Sequence, residues 1–280
     1  MTSTDRRTVL AGLASAALGA SVLNAFTAAP AYAVDGYASN TDLYTKLAGR
    51  EGTDFARRYK RLELVDSSNE LRHPFNRTTI MAIHGGAIEG GTSELCLAIA
   101  GYHPATLAPT AAGGPLHDYW MFEGIASDGN ASMHVTSTHN DDRIALSMAA
   151  ASLNVLSLHG CDAKTAGTSA APEAVVVGGR NGDFKARLRE ELEAADFRTI
   201  DGSSVPALAG TDVDNICNKT LLGKGAQLEI TEELRRSLFE AGHFTRLGRP
   251  NHTNDRFTAF VGATRRAIAG LEAHPDQVIL

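Results

Sequence analysis

The fold that we expect is decided by residues 79–94, which read Thr79-Ile80-Met81-Ala82-Ile83-His84-Gly85-Gly86-Ala87-Ile88-Glu89-Gly90-Gly91-Thr92-Ser93-Glu94. The apolar run predicts a buried strand over 79–84, and the glycines predict a tight turn. Thr92 is the expected N-cap of a helix over 92–100, and Gly101 its C-cap. Open α/β sheets bind ligands beyond the carboxyl ends of their strands, which is where this pattern puts His84.

His84 and Glu89 are the first two candidate metal ligands. A neutral imidazole and a carboxylate begin a catalytic zinc site of the two-histidine, one-carboxylate kind. Their separation of five residues does not suit one face of a helix, so the double-glycine turn must bring them together. The alternative is a glycine turn with a capping histidine and a solvated glutamate.

The rest of the chain alternates between strand and helix patterns. Further strands are predicted over 117–123, 133–137, 153–158, 174–177 and 226–230. Helices are predicted over 41–61, 143–151, 183–195, 231–242 and 254–273, with a loop over 201–210. We see no internal repeat or linker after residue 33. The pattern predicts a single α/β domain over 34–280, with a mostly parallel or mixed twisted sheet flanked by helices.

Residues 1–33 are interpreted as an export signal. The pair Arg6-Arg7 precedes an uncharged, alanine-rich run, and Ala31-Tyr32-Ala33 is a small-x-small cleavage site. The paired arginines favour twin-arginine export, which predicts a secreted, extracytoplasmic protein. An uncleaved membrane anchor is the alternative. After residue 33 no stretch approaches the roughly 20 apolar residues of a spanning helix, so no stable membrane insertion is expected after cleavage.

Charge argues against nucleic acid as a partner. The 280 residues carry a net charge of −6, and removing the signal takes away two arginines and one aspartate. An acidic protein that acts on an acidic polymer needs local positive charge, for which Arg180, Arg143 and Lys219 are candidates. The alternative is that each of these three residues is a surface charge with no role in binding.

A third metal ligand is sought at the end of another apolar strand. His159 follows the run 153–158 and would complete a three-ligand zinc site with one position left for water. Its alternative is a histidine hydrogen-bonded at a strand end. His134 and His139 compete for the role, and one of them could instead lie beside the metal or contact substrate.

Glu229 is the candidate general base. A carboxylate in the otherwise apolar strand 226–230 is costly to bury unless it has a partner or a function. Beside zinc it would take a proton from water that attacks an amide carbonyl. The alternative is a glutamate that faces solvent at a strand end.

Three cysteines are too few for a disulfide scaffold. Outside the cytoplasm one bridge remains compatible with the sequence, and the pair Cys161–Cys217 is the expected one. Cys96 is then expected to be buried on a helix.

Several motifs in order resemble the phage-derived poly-γ-glutamate hydrolase family. They cover about residues 79–238 and read His84-Gly85-Gly86 with Glu89, Gly91-Thr92-Ser93-Glu94, His134-Val135-Thr136-Ser137, Leu158-His159-Gly160-Cys161, Val177-Gly178-Gly179, Gly225-Ala226-Gln227-Leu228-Glu229-Ile230 and Leu234-Arg235. The resemblance implies a zinc-dependent fold similar to carboxypeptidase A-like metallopeptidases and cleavage of γ-linked glutamyl amides. It assigns zinc to His84, Glu89 and His159, and the general base to Glu229.

The hypothesis is therefore an exported, zinc-dependent amide hydrolase, expected to be a monomer, that acts on poly-γ-glutamate or a related γ-glutamyl peptide. The same residues would suit a zinc amidase or carboxypeptidase acting on cell-wall peptides. A non-catalytic exported binding protein that keeps the fold is the alternative from another class.

Overall fold

The computed structural model describes residues 35–61, 77–110 and 115–277. Its strands in these ranges are β1 (Phe55–Lys60), β2 (Thr78–Gly86), β3 (Asp118–Gly124), β4 (Asn154–Cys161), β5 (Val175–Gly179), β6 (Thr199–Asp201) and β7 (Ala226–Thr231). Its helices are α1 (Asn40–Lys46), α2 (Thr92–Ala100), α3 (Arg143–Ala151), α4 (Gly182–Glu193), α5 (Glu232–Ser237) and α6 (Asp255–Glu272).

The strands of the described ranges form one seven-stranded sheet in the order β1-β3-β2-β4-β7-β5-β6. The four central strands β3, β2, β4 and β7 are mutually parallel. β1 runs antiparallel to β3, and β5 runs antiparallel to β7, with β6 parallel to β5. The predicted single α/β domain with a mixed sheet is confirmed.

Helices cover the two faces of the sheet unequally. On one face α2, α4, α5 and α6 bury the large core that includes Ile80, Leu156 and Leu228. On the other face α1 and α3 pack on a second core that includes Met81, Val155 and, near the end of β3, Phe122. Beyond the ends of β2, β4 and β7, this face is covered by loops around residues 134–138 and 206–215. The candidate site lies there.

The strand at 79–84 and the helix at 92–100 are confirmed. All nine residues of β2 are buried, as its apolar run requires. α2 is bounded by two glycines with left-handed backbone, Gly91 (φ 102°) and Gly101 (φ 95°). The N-cap is therefore Gly91 and not Thr92, whose hydroxyl instead donates to the carbonyl of Glu89 at 2.8 Å.

The predicted helix over 41–61 is wrong in its second half. α1 ends at Lys46, and the turn that follows contains Gly49 and Gly52 with φ of 78° and 88°, values that L side chains rarely adopt. The chain then pairs with β3 as the edge strand β1. Long-range pairing has overridden a helical charge pattern here.

Two other local predictions fail. The strand expected over 133–137 is replaced by short 3₁₀ turns at Asn130–Met133 and Ser137–His139. The loop expected over 201–210 begins inside the edge strand β6, which is only three residues long and pairs with β5. A run this short has too little periodicity to be recognised.

The expected Cys161–Cys217 disulfide is absent: all three cysteines are free and buried. Gly225 packs against the backbone carbonyls of both Cys217 and Val155, which places Cys217 near the start of β4. Cys161 is the last residue of the same strand. Six residues of strand span about 20 Å, far beyond the roughly 7 Å between Cα atoms that a disulfide can bridge.

The proposed signal at residues 1–33 lies outside the described residues. Among the described helices, none combines the length and the apolar character needed to cross a membrane.

Candidate metal centre

An irregularity in β2 positions His84. The register between β2 and β3 shifts between Ala82 and Gly85, and such a bulge re-aims the side chains next to it. Gly86 follows with φ 68°, and its amide donates to the hydroxyl of Ser93 at 2.8 Å. The imidazole of His84 is 2% exposed.

Glu89 returns to His84 across the glycine turn, as the sequence predicts. The amide of Glu89 donates to the carbonyl of His84 at 2.9 Å, and the His84 Nδ1–Glu89 Oε1 distance is also 2.9 Å. The amide of Gly160 donates to Glu89 Oε2 at 2.8 Å. This links the turn after β2 to the end of β4.

His159 joins the pair from β4. Its Nδ1 lies 3.3 Å from His84 Nδ1 and 3.9 Å from Glu89 Oε2. Its Nε2 lies 2.9 Å from the hydroxyl of Ser157, two residues earlier on the same face of the strand. The structure therefore brings together His84, Glu89 and His159, with one donor atom from each within 4.8 Å of the others.

Burial and mutual charge together set the protonation states of His84, Glu89 and His159. Burial opposes the charged forms of Glu89 and His84, but their mutual attraction outweighs it, so the pKa of Glu89 falls to about 2 and the pKa of His84 rises. Burial lowers the pKa of His159 to about 3, so its imidazole is neutral. An ionised carboxylate and a neutral imidazole are the forms in which these side chains bind metal.

The donor set fits a divalent cation. Nε2 of His84 lies 2.8 Å from the carbonyl of Val135, which can only accept, so we assign the proton of a neutral His84 to Nε2. The lone pair on Nδ1 then faces the carboxylate of Glu89 and Nδ1 of His159. With His84 neutral, three acceptors face one another, and a metal ion would take the place that a proton between His84 and Glu89 fills in its absence. A backbone partner on the far nitrogen is the usual support of a metal-binding histidine.

Glu229 lies beside this cluster on the same face of the sheet. It pairs in register with His159 across the parallel strands β4 and β7, where neighbouring backbones are about 4.8 Å apart. Gln227 Nε2 donates to Glu229 Oε1 at 3.0 Å, and Asn215 in turn donates to Gln227. Burial, followed by the charge of Glu89, raises the pKa of Glu229 well above its usual value.

His134 also lies at the cluster. Its ring stacks on that of His84 with centroids 3.8 Å apart, and its Nε2 is 3.8 Å from Glu89 Oε1. Asp35 lies 2.7 Å from His134 Nδ1 and accepts from the amide of Thr136 at 3.1 Å. His139 is more than half exposed and lies 3.7 Å from Asp35, away from the three converging donors.

The cations proposed from sequence do not line the cleft at the metal centre. This cleft has a volume of about 390 Å³, and its described lining includes His84, His159 and Glu229 but not Arg180, Arg143 or Lys219. Because β5 runs antiparallel to β7, its last residue Gly179 pairs with Ala226 at the start of β7. Arg180 therefore lies near the opposite end of β7, where it donates to the carbonyl of Thr211.

Arginine does reach the metal centre, from a position that sequence reasoning missed. Arg235 on α5 lines a second cavity of about 190 Å³ that shares Glu89 and His134 with the main cleft. Its side chain is buried, with Nε donating to the carbonyl of Ile230 and Nη1 to that of Gly90. Among the described residues no carboxylate lies within ion-pairing distance of it, and burial lowers its pKa.

Three other residues near the metal centre were also missed by sequence reasoning, and they differ in whether a sequence pattern could have found them. Ser157 and Gln227 stand two residues before His159 and Glu229, so strand periodicity places each on the same face as its functional neighbour. Asp35 comes from the far end of the described chain, and no local pattern connects it with His134.

Fold and site together are those of a carboxypeptidase-like α/β protein with a candidate divalent-metal centre at the ends of its parallel strands. The sequence profile of the family described as poly-gamma-glutamate hydrolase matches residues 59–263. This chain therefore belongs to the poly-gamma-glutamate hydrolase family, and the resemblance found in its motifs is confirmed.

Two relatives come from Bacillus subtilis (strain 168). The chain is 34% identical to the protein YndL over 181 residues, which are 65% of this chain and 63% of YndL. It is 32% identical to the SPbeta prophage-derived protein YoqZ over 192 residues, which are 69% of this chain and 62% of YoqZ. The chain thus spans less than two thirds of the length of these curated relatives.

Two solved structures share the fold. The structure of a bacteriophage poly-gamma-glutamate hydrolase superposes with a TM-score of 0.68 at 25% identity, covering 85% of this chain and 98% of that chain. The apo, zinc-free structure of YndL superposes with the same TM-score at 28% identity and the same coverage.

Proposed function

We propose that this protein is a zinc-dependent hydrolase of γ-glutamyl amide bonds, with poly-γ-glutamate as its substrate. The observation that carries the proposal is the convergence of His84, Glu89 and His159 at 2.9–3.9 Å, with the buried carboxyl of Glu229 on the adjacent strand. Family membership and the existence of a zinc-free form of the relative YndL support the same reading.

His84, Glu89 and His159 would hold the metal. Zinc in such a site supplies Lewis acidity, which polarises a carbonyl group and makes water more acidic. The carbonyl of Val135 and the hydroxyl of Ser157 fix the two imidazole rings, and the amide of Gly160 fixes the carboxylate. These partners keep the ligand atoms aimed at one point before any ion arrives.

Glu229 is the proton carrier in this proposal. It takes a proton from the attacking water and gives it to the departing amide nitrogen, so that the amine leaves neutral. Its raised pKa suits the second half of this task, because burial makes the carboxyl group hold the proton that it must carry to the departing nitrogen. Gln227 holds Oε1 of Glu229 and leaves Oε2 for the proton transfer.

Arg235 is the proposed anchor for a substrate carboxylate. A γ-linked glutamate keeps its α-carboxylate, so every residue of the polymer carries a negative charge close to the scissile amide. The guanidinium of Arg235 is buried with no carboxylate of the described residues at ion-pairing distance, and a substrate carboxylate in the cavity that Glu89 and Glu232 also line would supply that partner. The substrate-binding roles of Arg180, Arg143 and Lys219 stay predictions, and Arg180 donates to the carbonyl of Thr211, a residue that lines the main cleft.

The test is the chain-length distribution of poly-γ-glutamate after incubation with chelated and zinc-restored protein. We expect shortening only with zinc, and loss of a factor of about 10² to 10⁴ in kcat for Glu229→Gln. The matched control is Glu233→Gln, which removes an exposed carboxylate on α5 and should leave the rate unchanged.

Each outcome has a distinct meaning. Zinc-dependent cleavage of γ-glutamyl peptides from the cell wall, with intact poly-γ-glutamate, would replace the substrate and keep the mechanism. Polymer binding by wild type and Glu229→Gln alike, without cleavage, would identify a binding protein. Cleavage that survives both chelation and Glu229→Gln would refute the proposed chemistry.

We further propose that the protein is exported and acts as a monomer outside the cytoplasm. Export is supported by the pair Arg6-Arg7 and by the small-x-small sequence Ala31-Tyr32-Ala33. Replacing both arginines by lysine should retain the full-length protein inside the cell. Secretion unaffected by that change would reject the twin-arginine route, and light scattering of the mature protein would test the monomer.

A further inference from the structure

A second cluster of metal-ligating side chains lies between α5 and α6. It consists of Glu240, His243 and His252, and one donor atom from each lies within 4.8 Å of the others. Among the described residues, only this cluster and the one around His84 bring three such donors so close together. The two clusters share no residue.

The backbone holds the three side chains in place. Phe239 and Thr253 form an antiparallel bridge, and the amide of Glu240 donates to the carbonyl of His252 at 2.9 Å. The amide of His243 donates to the carbonyl of Glu240 at 3.1 Å. The ligands are therefore brought together across a closed loop and do not meet through free side-chain motion alone.

The three side chains lie in direct contact. The rings of His243 and His252 stack with centroids 3.5 Å apart and 13° between their planes, so one ring must turn out of the stack for the in-plane lone pairs of both to reach one ion. Nδ1 of His252 lies 2.8 Å from Glu240 Oε2, which adds a carboxylate to the two nitrogens.

We propose that Glu240, His243 and His252 bind a second divalent transition-metal ion. Two imidazole nitrogens and one carboxylate oxygen suit zinc and its neighbours better than calcium or magnesium, which prefer oxygen alone. The site is open, because the side chains of Glu240 and His252 are 53% and 35% exposed, so water completes the coordination. Its role is structural, and it is independent of the function proposed above.

The ion would stabilise a segment that packs against the catalytic turn. Phe239 lies against Gly91, and Arg249 donates to the carbonyl of Gly86 at 2.6 Å. Both glycines flank the turn that carries Glu89. A metal that joins Glu240 to His252 closes the loop containing Arg249 and so restrains this packing.

The experiment compares the full mature chain with His243→Gln and His252→Gln at neutral pH. The number of zinc ions per chain is measured by elemental mass spectrometry after dialysis. The affinity of the protein for zinc is measured by competition with a chromophoric chelator. We expect each variant to hold one zinc ion fewer than wild type, and its zinc affinity at this cluster to be weaker than that of wild type by at least about tenfold. His274→Gln is the matched control, since His274 lies 2.8 Å from Asp276 in an exposed pair without a third donor.

A second measurement does not depend on stoichiometry. Zinc should slow proteolysis within 239–254 in wild type and in His274→Gln, and have less effect in His243→Gln. The same zinc content in wild type and in both cluster variants would overturn the proposal, whatever the occupancy of the centre around His84. Binding at this cluster only at millimolar zinc would also overturn it.

Discussion

A buried ion pair joins α2 to the segment before α6 and offers a quantitative test of how the metal centre is supported. Nε of Arg249 donates to Glu94 Oε2 at 3.1 Å, and its Nη2 donates to the carbonyl of Gly86 at 2.6 Å. The two side chains are only 3% and 5% exposed. Burial raises the pKa of Glu94 in spite of the opposing charge of Arg249.

Arg249→Met should be strongly destabilising. Removing one partner of a buried pair costs about 3–5 kcal/mol, because the other is left without compensation. The carbonyl of Gly86 also loses its hydrogen-bond donor, and the cost of leaving this buried acceptor unsatisfied is counted within the same range of about 3–5 kcal/mol. For a domain of this size the change corresponds to a fall in Tm of about 6–20 °C.

The assay is urea and thermal unfolding of Arg249→Met, Glu94→Gln and the double variant, all in chelator. The double variant should be at least about 1 kcal/mol more stable than the sum of the single changes predicts, because the residues contact each other. Arg256→Met is the matched control: it breaks an ion pair of 2.8 Å with Glu173 whose side chains are nearly half exposed. That change should cost no more than about 1 kcal/mol. Equal losses for Arg249→Met and Arg256→Met, or strict additivity in the cycle, would refute the reasoning.

Three further predictions concern pH, the metal centre and the cysteines. Burial lowers the pKa of His117 to about 4, so between pH 6.5 and 4 mainly the unfolded chain binds this proton, and the folded state loses stability as the pH is lowered. Over this range the free energy of unfolding of wild type should fall by about 3 kcal/mol more than that of His117→Gln. An equal fall in both proteins would contradict the prediction. Asp35→Asn should lower kcat with little change in KM, because the carboxylate orients His134 beside the metal centre; an unchanged kcat would show that the contact is dispensable. Reductant should leave Tm unchanged, because Cys161 and Cys217 are free thiols, and alkylation after denaturation without reductant should label both.

Much of the candidate site was predictable from local sequence. The apolar runs identify β2 and β4 as buried strands, and parallel strands end at the same edge of a sheet. His84 and His159 therefore had to lie near each other once both strands were parallel neighbours. The glycine turn supplied the remaining condition, since it allows Glu89 to return to His84 in five residues.

Strand direction and edge pairing were not predictable in the same way. The run 174–177 has the composition of a buried strand in either orientation, yet it is antiparallel to β7, and this places Arg180 away from the metal centre. β1 carries Arg57 and Arg58 in a pattern that also suits a helix, and only its pairing with β3 decides the matter. Both features depend on partners distant in sequence, which no local periodicity contains.

The two buried arginines account for two of the glycines near the metal centre. A Cβ on Gly160 would lie 2.5 Å from the guanidinium carbon of Arg235, and one on Gly90 would lie 2.8 Å from Nη1 of Arg249. Each guanidinium thus occupies the space that a side chain would fill, and it donates to carbonyls of the turn on either side of Glu89. The glycines and arginines form one unit in which the backbone carrying the ligands is fixed by donors rather than by apolar packing. This arrangement holds the three ligand atoms within reach of one ion while leaving a cationic group next to it, which is what a site for an acidic substrate needs.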